Sequence, residues 1–246
     1  MKYNVDVLFP GFSGRLSNGR LNWGTTALIR GEGHNIMMDC GGMVVRSTLR
    51  DMLAAHGLKF EDIDTVLISH MHADHVYNVD YFPQAQFVMS RAEWEHAHDR
   101  IHKDYSVNEM AACLLRSYKL RLVERDGEVI LPGITTLMTP GHTPGSMSYV
   151  IDKGNETWVL TGDAVKHRGE LRNEVVQQTL NQEDSLNSIR KLKKLADRIL
   201  PGHDGWLTIS GDEVIPEGGN DVTLTFGQGI TVNGQHSLTL TMQYEI

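Results

Sequence analysis

SHMHADH, residues 69–75, places three histidines and one aspartate directly after the apolar run Val66-Leu67-Ile68. Such a run reads as a buried strand, and a strand that ends on metal-capable side chains reads as the edge of a site. In an extended chain His70 and His72 project to the same side and can share one ion. Asp74 and His75 follow where the chain must turn, placed to serve a second ion beside the first. The chain has 12 histidines in 246 residues. At that frequency H-x-H-x-D-H arises from composition alone at roughly two chances in a thousand per chain, so accident explains it poorly.

Further along, three more candidate ligands each follow a glycine at the end of an apolar run: His142 in TTLMTPGH, Asp163 in WVLTGD and His203 in RILPGH. The ends of neighbouring strands in an α/β sheet converge on one edge, and glycine lets the backbone turn tightly there. Four separate segments therefore aim His or Asp at one place. Nitrogen and oxygen ligands without sulfur suit two divalent ions; Zn²⁺ is expected, with Mn²⁺ or Fe²⁺ as alternatives. A structural zinc closes its shell with four ligands, often thiolates, so this donor set argues for catalysis.

Around these segments the pattern is α/β. Short strands are expected at Val5–Phe9, Thr26–Ile29, Asn35–Met38, Thr65–Ser69 and Gln86–Ser90, and again at Ile134–Met138, Met147–Ile151 and Trp158–Leu160. Val45, Leu49, Met52 and Leu53 recur at helical spacing with Gly57 placed as a C-cap. Further helices are expected over Arg91–His98 with Ser90 as cap, near Asn108–Tyr118, and through Leu186, Ile189, Leu192 and Leu195, stopping before Pro201. The tail from Val222 (VTLTF, ITV, SLTLTM) alternates like hairpin strands. No linker or repeat divides the chain, so one domain over residues 1–246 with a β-rich tail from about 206 is the economical reading.

The net charge of −8 and the lack of a long basic run disfavour nucleic acid as a partner. No stretch approaches the roughly 18 apolar residues that span a bilayer, and MKYNVDVLFPGF lacks the features of a signal peptide, so a cytoplasmic protein without membrane partners is expected. Cys40 and Cys113 then read as free thiols. A homodimer through the β-rich tail or the loop Gly11–Trp23 is conceivable on the sequence. His96, His98 and His102 either edge the pocket or are surface histidines of a helix, Trp94, Tyr105 and Tyr118 either line a lid over the metals or pack that segment against the body, and His167 is a candidate for the surroundings of the site.

HMHADH followed in order by PGHTPGS, TGD and PGH resembles the metallo-β-lactamase superfamily over about Asn22 to Gly205. The resemblance implies a four-layer αββα sandwich with two metals at one edge. It implies His70, His72 and His142 on the first ion, Asp74, His75 and His203 on the second, and Asp163 between them. The implied reaction is hydrolysis of a small-molecule ester, lactone or thioester by a metal-bridging hydroxide, with Asp74 as the catalytic group that orients the nucleophile and relays its proton.

Exported β-lactamases of the superfamily carry cysteine where Asp163 stands, glyoxalase II adds a helical domain, and the processing nucleases add domains or an arm. Flavodiiron relatives replace the second histidine with glutamate, unlike His72. The chain is most similar to small lactonase-like hydrolases, although Lys166 stands where several acyl-homoserine-lactone lactonases have tyrosine. A phosphodiesterase or small nuclease on the same fold, and a metal-binding module without turnover, are the alternatives.

Overall fold

The computed structural model describes residues 3–99, 101, 104–218 and 221–241. A first sheet takes β1 (Asn4–Phe9) and then, after a hairpin β2–β3 (Phe12–Leu16 and Gly19–Trp23), β4 (Thr26–Gly31), β5 (His34–Met38), β6 (Thr65–Leu67), β7 (Gln86–Ser90) and β8 (Lys119–Val123). Its strands are hydrogen-bonded in the order β1-β4-β5-β6-β7-β8. A second sheet is built from β9 (Val129–Leu131), β10 (Ile134–Met138), β11 (Met147–Asp152), β12 (Thr157–Gly162), β13 (Arg198–Pro201), β14 (Leu207–Ser210) and β15 (Glu213–Pro216), each beside its sequence neighbour. A last hairpin pairs β16 (Asp221–Thr225) with β17 (Ser237–Thr241). The helices are α1 (Leu49–Ala54), α2 (Ala73–Val76), α3 (Arg91–His98), α4 (Glu109–Leu115), α5 (Arg168–Asn173) and α6 (Gln182–Leu195).

Period-two alternation along the strands assigns each sheet two apolar faces, and those faces build four layers. Leu28, Met37, Val66, Phe87 and Met89 pack with Leu49, Leu53, Ala97 and Leu115 of the helices outside the first sheet. The intervening residues Ala27, Ile29, Ile36, Leu67 and Val88 face Met147, Tyr149, Ile151 and Leu160 of the second sheet. That sheet's other face, with Leu137, Val159, Ile199 and Leu207, packs on Leu171 of α5 and on Ile189 and Leu192 of α6. The order helix, sheet, sheet, helix is the expected αββα sandwich. Each large side chain fully buried in it contributes roughly 1.5–3 kcal/mol.

Strand direction then aims the chain at the site. β10 and β12 both run antiparallel to β11, and β13 runs parallel to β12, so all three end at the same edge. The segments that follow them carry His142, Asp163 and His203, and β6 of the other sheet delivers residues 69–75 beside them. Tyr149 ties the two sheets together just behind this edge: its buried hydroxyl lies 2.9 Å from Ile68 O and 2.8 Å from Val88 O.

Several expectations shift. Gly11–Trp23 is the β2–β3 hairpin rather than a loop. The first helix is shorter than the periodicity suggests, because Met43–Val45 form a separate 3₁₀ turn before α1. Residues 119–123, for which no strand was expected, form β8, an edge strand of the first sheet that pairs with β7. The last long helix ends at Leu195, where Ala196 turns extended (φ −94°, ψ 138°), and Pro201 closes strand β13; proline is tolerated at such a strand end. Of the tail, VTLT at 222–225 and SLTLT at 237–241 pair as expected, Met242 lying outside the described residues, whereas ITV makes only an isolated bridge, Val232 to Gln235. Leu207–Ser210 and Glu213–Pro216 belong to the second sheet rather than to a separate tail. Among the described residues no helix is long and apolar enough to cross a membrane, and both cysteines are free.

Gly57 closes α1 at φ +75°, with Leu58 N donating to Leu53 O (3.1 Å) and Gly57 N to Ala54 O (2.9 Å). Nothing lies within 4 Å of the position of an added Cβ, so the constraint is purely one of backbone conformation. Gly57→Ala is expected to lower stability by about 1 kcal/mol in urea unfolding, and Gly57→Asn by less; equal stability of all three proteins contradicts the C-cap.

Candidate metal centre

β6 ends at Leu67, and the chain beyond it is held by side chains from elsewhere in the fold. Asp39, just after β5 and at φ +53°, takes Ser69 N (2.8 Å) on one carboxylate oxygen and Ser69 Oγ (2.7 Å) and His75 Nδ1 (2.8 Å) on the other. Glu93, fully buried in α3, accepts Met71 N (2.8 Å) on one oxygen and Thr143 Oγ1 (2.6 Å) on the other. One carboxylate thus fastens HMHADH to the PGHTPGS loop. The single turn α2 places Asp74 on the cavity wall and buries His75 completely. At the other side Gly202 N donates to Gly162 O (2.9 Å), so close that a Cβ on Gly202 would strike the Asp163 carboxylate.

All seven expected residues meet here. Ligand-type atoms of His70, His72 and His142 lie within 4.8 Å of one another, as do those of His70, His75 and Asp163 and those of Asp74, His75 and His203. Asp163 reaches both outer groups, with Oδ2 3.2 Å from His142 Nε2 and from His203 Nε2, and Oδ1 3.2 Å from His75 Nε2.

The nitrogens facing away from the centre are each engaged. His70 Nδ1 meets Ser69 Oγ (3.0 Å), His72 Nε2 meets Asp104 Oδ2 (2.8 Å) and His75 Nδ1 meets Asp39. His142 Nδ1 lies 3.1 Å from Gln178 O, and His203 Nδ1 3.1 Å from Phe12 O. Such outward bonds fix ring orientation and tautomer, leaving the inner nitrogens as lone-pair donors. Correspondingly, His70 Nε2, His75 Nε2 and Asp163 Oδ1 are buried yet make no hydrogen bond among the described residues.

Electrostatics divide the ligands. Burial, reinforced by the neighbouring His75 and His72, pushes His70 well below the ordinary histidine range, and burial likewise lowers His142. Burial opposes charge on His75 and His203 too, but the Asp163 carboxylate outweighs it and raises both. Asp163 itself is held well below the usual carboxylate range by those histidines despite its burial. Burial also works against the Asp104 charge, yet hydrogen bonds from His72 and His96 keep it low. The centre is an electron-rich cluster that welcomes positive charge.

A cavity of about 270 Å³ opens onto this cluster, walled by the β2–β3 hairpin on one side and by Lys166, His167 and Gln178 on another. Lys166, buried, lies 2.9 Å from Glu170 Oε1 as an ion pair without hydrogen-bond alignment. His96 does not reach the cavity but meets Asp104 at 3.2 Å, one step behind His72. His98 is turned to Trp94 O and Arg116, Trp94 and Tyr118 pack on the helical layer, and Tyr105 is 96% exposed; none lines the cavity. His102 lies outside the described residues. Asp39, Glu93 and Asp104 escaped the sequence reading, as did Asn22, whose Nδ2 donates to Asp74 Oδ2 at 2.6 Å.

Residues 24–203 match the family model of the metallo-beta-lactamase superfamily. The chain belongs to that superfamily. An N-acyl homoserine lactonase of Bacillus sp is 32% identical over 167 residues, 66% of this chain and 64% of that protein. The match therefore spans less than two thirds of that relative. Two solved structures share the fold: a single-residue mutant of Bacillus thuringiensis AiiA with N-decanoyl-L-homoserine bound at its active site, and AidC, a dizinc quorum-quenching lactonase with a product bound. The first has TM-score 0.65 at 23% identity, covering 82% of this chain and 92% of its own; the second has TM-score 0.66 at 20% identity, covering 81% of each.

Glu93→Ala leaves two buried donors, Met71 N and Thr143 Oγ1, without their acceptor. The expected outcome is a loss of about 3 kcal/mol in denaturant unfolding; a loss below about 1 kcal/mol contradicts the fastening role.

Proposed function

We propose that the protein is a dinuclear metal-dependent hydrolase acting on a small lactone, ester or thioester. The observation that carries this reading is the convergence of seven nitrogen- and oxygen-bearing candidate ligands, of which the five imidazoles are held by their outward nitrogens while His70 Nε2, His75 Nε2 and Asp163 Oδ1 are buried at the centre without a hydrogen bond among the described residues. His70, His72 and His142 would hold one divalent ion and Asp74, His75 and His203 the other, with Asp163 between them. The sulfur-free donor set suits Zn²⁺, and AidC, a dizinc lactonase on the same fold, supports that choice.

Bound there, two divalent ions supply a water of lowered pKa and polarise the carbonyl under attack. The chain's own groups do the rest. Asp74 is placed to take the proton of the attacking water and pass it to the departing oxygen, and Asn22 fixes its carboxylate from the hairpin side. Asp39 and Asp104 hold the His75 and His72 rings in the orientation that turns a lone pair inward. The cavity admits a small molecule and closes off bulk water on the buried side. A second reading, phosphodiester hydrolysis at the same centre, draws on Arg15 and Arg20 in the cavity lining.

Elemental analysis combined with a screen of lactones, thioesters and bis-p-nitrophenyl phosphate separates these readings. About two metal ions per chain are expected, with turnover of a carbonyl substrate that falls by at least about a hundredfold in His72→Ala. Activity untouched by the substitution contradicts the centre; turnover of the phosphodiester alone selects the second reading.

A further inference from the structure

The face of the β2–β3 hairpin turned to the cavity carries two arginines with no counter-charge. Arg15 and Arg20 are direct cross-strand partners, Ser13 and Asn22 are the next pair on the same face, and all four line the cavity. The other face is apolar, with Phe12 stacked on Trp23 at a ring distance of 4.9 Å. Like charges directly opposite one another on an antiparallel pair repel. Among the described residues neither arginine makes an ion pair; the Gln178 side-chain amide faces Arg15 across the cavity mouth, and with the amide turned so that its oxygen points at the guanidinium that oxygen accepts from Arg15. The repulsion is relieved if an anion sits between the two guanidinium groups.

The rest of the lining agrees. Among the described residues it holds, apart from imidazoles, no aromatic and no aliphatic side chain, and so offers an acyl tail no apolar wall. Lys166 is already balanced by Glu170, which leaves the hairpin arginines as the cations available to a ligand.

We propose that Arg15 and Arg20 select a small substrate carrying a carboxylate or phosphate group remote from the bond that is cleaved. Guanidinium pairs bind either group through charge-assisted hydrogen bonds. The inference rests on the hydrolase reading for the reaction itself: one water adds across the acyl C–O bond, the alkoxide oxygen takes one of its protons to become a hydroxyl, the new carboxyl group releases the other to solvent as it becomes a carboxylate, and the remote anion is unchanged. The product carries one anion at the metals and one on the hairpin.

The test compares γ-butyrolactone with γ-carboxy-γ-butyrolactone, and glucono-δ-lactone with and without a terminal phosphate, on the zinc-loaded enzyme. A preference for the charged member of at least about tenfold in kcat/KM, expressed in KM, is expected. Arg20→Gln should bring the ratio towards one and Arg20→Lys should keep part of it. Whichever pair shows the preference identifies the anion. Calorimetry of α-hydroxyglutarate against γ-hydroxybutyrate supplies a readout without turnover, the first binding about tenfold more weakly to Arg20→Gln than to the unaltered protein. Lactone turnover with no charge preference, and no effect of Arg20→Gln, overturns the anion site alone. Arg20-dependent binding of α-hydroxyglutarate with no lactone turnover upholds the anion site and overturns the hydrolase reading.

Discussion

Five imidazoles and two carboxylates drawn into one buried cluster are unstable unless each ring is held from outside and the space between them receives positive charge. Buried polar groups without partners cost a few kcal/mol each, and buried like groups repel. The fold meets the first requirement with acceptors placed behind the rings: Asp39 behind His75, Asp104 behind His72, Ser69 behind His70, and backbone carbonyls behind His142 and His203. Two divalent ions would meet the second. The αββα sandwich then serves as a frame, since its codirectional strand ends bring four chain segments to one edge.

Rigidity is concentrated on one side of the centre. Asp39, Glu93 and Tyr149 are fully or almost fully buried and cross between strands, helix and the opposing sheet. The hairpin side is built differently, with an exposed two-residue turn and two hydrogen bonds linking the hairpin to the candidate ligands, Asn22 Nδ2 to Asp74 and His203 Nδ1 to Phe12 O. In the proposed hydrolase, a stable wall would hold the metals and a more exposed wall would meet the substrate, dividing the site between reaction and selection. Loops positioned on rigid elements commonly carry that second role.

The seven candidate ligands, which the fold brings together, were legible in the sequence because their chemistry is local: HMHADH, PGH, TGD and PGH each announce themselves within a few residues, and apolar runs before them mark the strands. The alternation of Leu28 with Ile29, or of Val66 with Leu67, likewise made the layers legible. What stayed hidden is relational. Asp39 lies 30 residues from Ser69, Glu93 50 from Thr143, and Asn22 52 from Asp74, and no local pattern marks such pairs. The β2–β3 hairpin had a signal that was passed over, since Ser-Asn-Gly at 17–19 between alternating residues is a turn signature. For the aromatics the sequence left a lid and simple packing open; Trp94 and Tyr118 pack against the helical layer of the first sheet, a choice that tertiary contacts make and no local pattern marks.

The most direct measurement is anomalous X-ray scattering at the zinc edge from crystals of zinc-loaded protein. The account predicts two peaks a few ångströms apart, one among His70, His72 and His142 and the other among Asp74, His75 and His203, with Asp163 touching both. A single peak, or zinc bound away from these seven side chains, would contradict it.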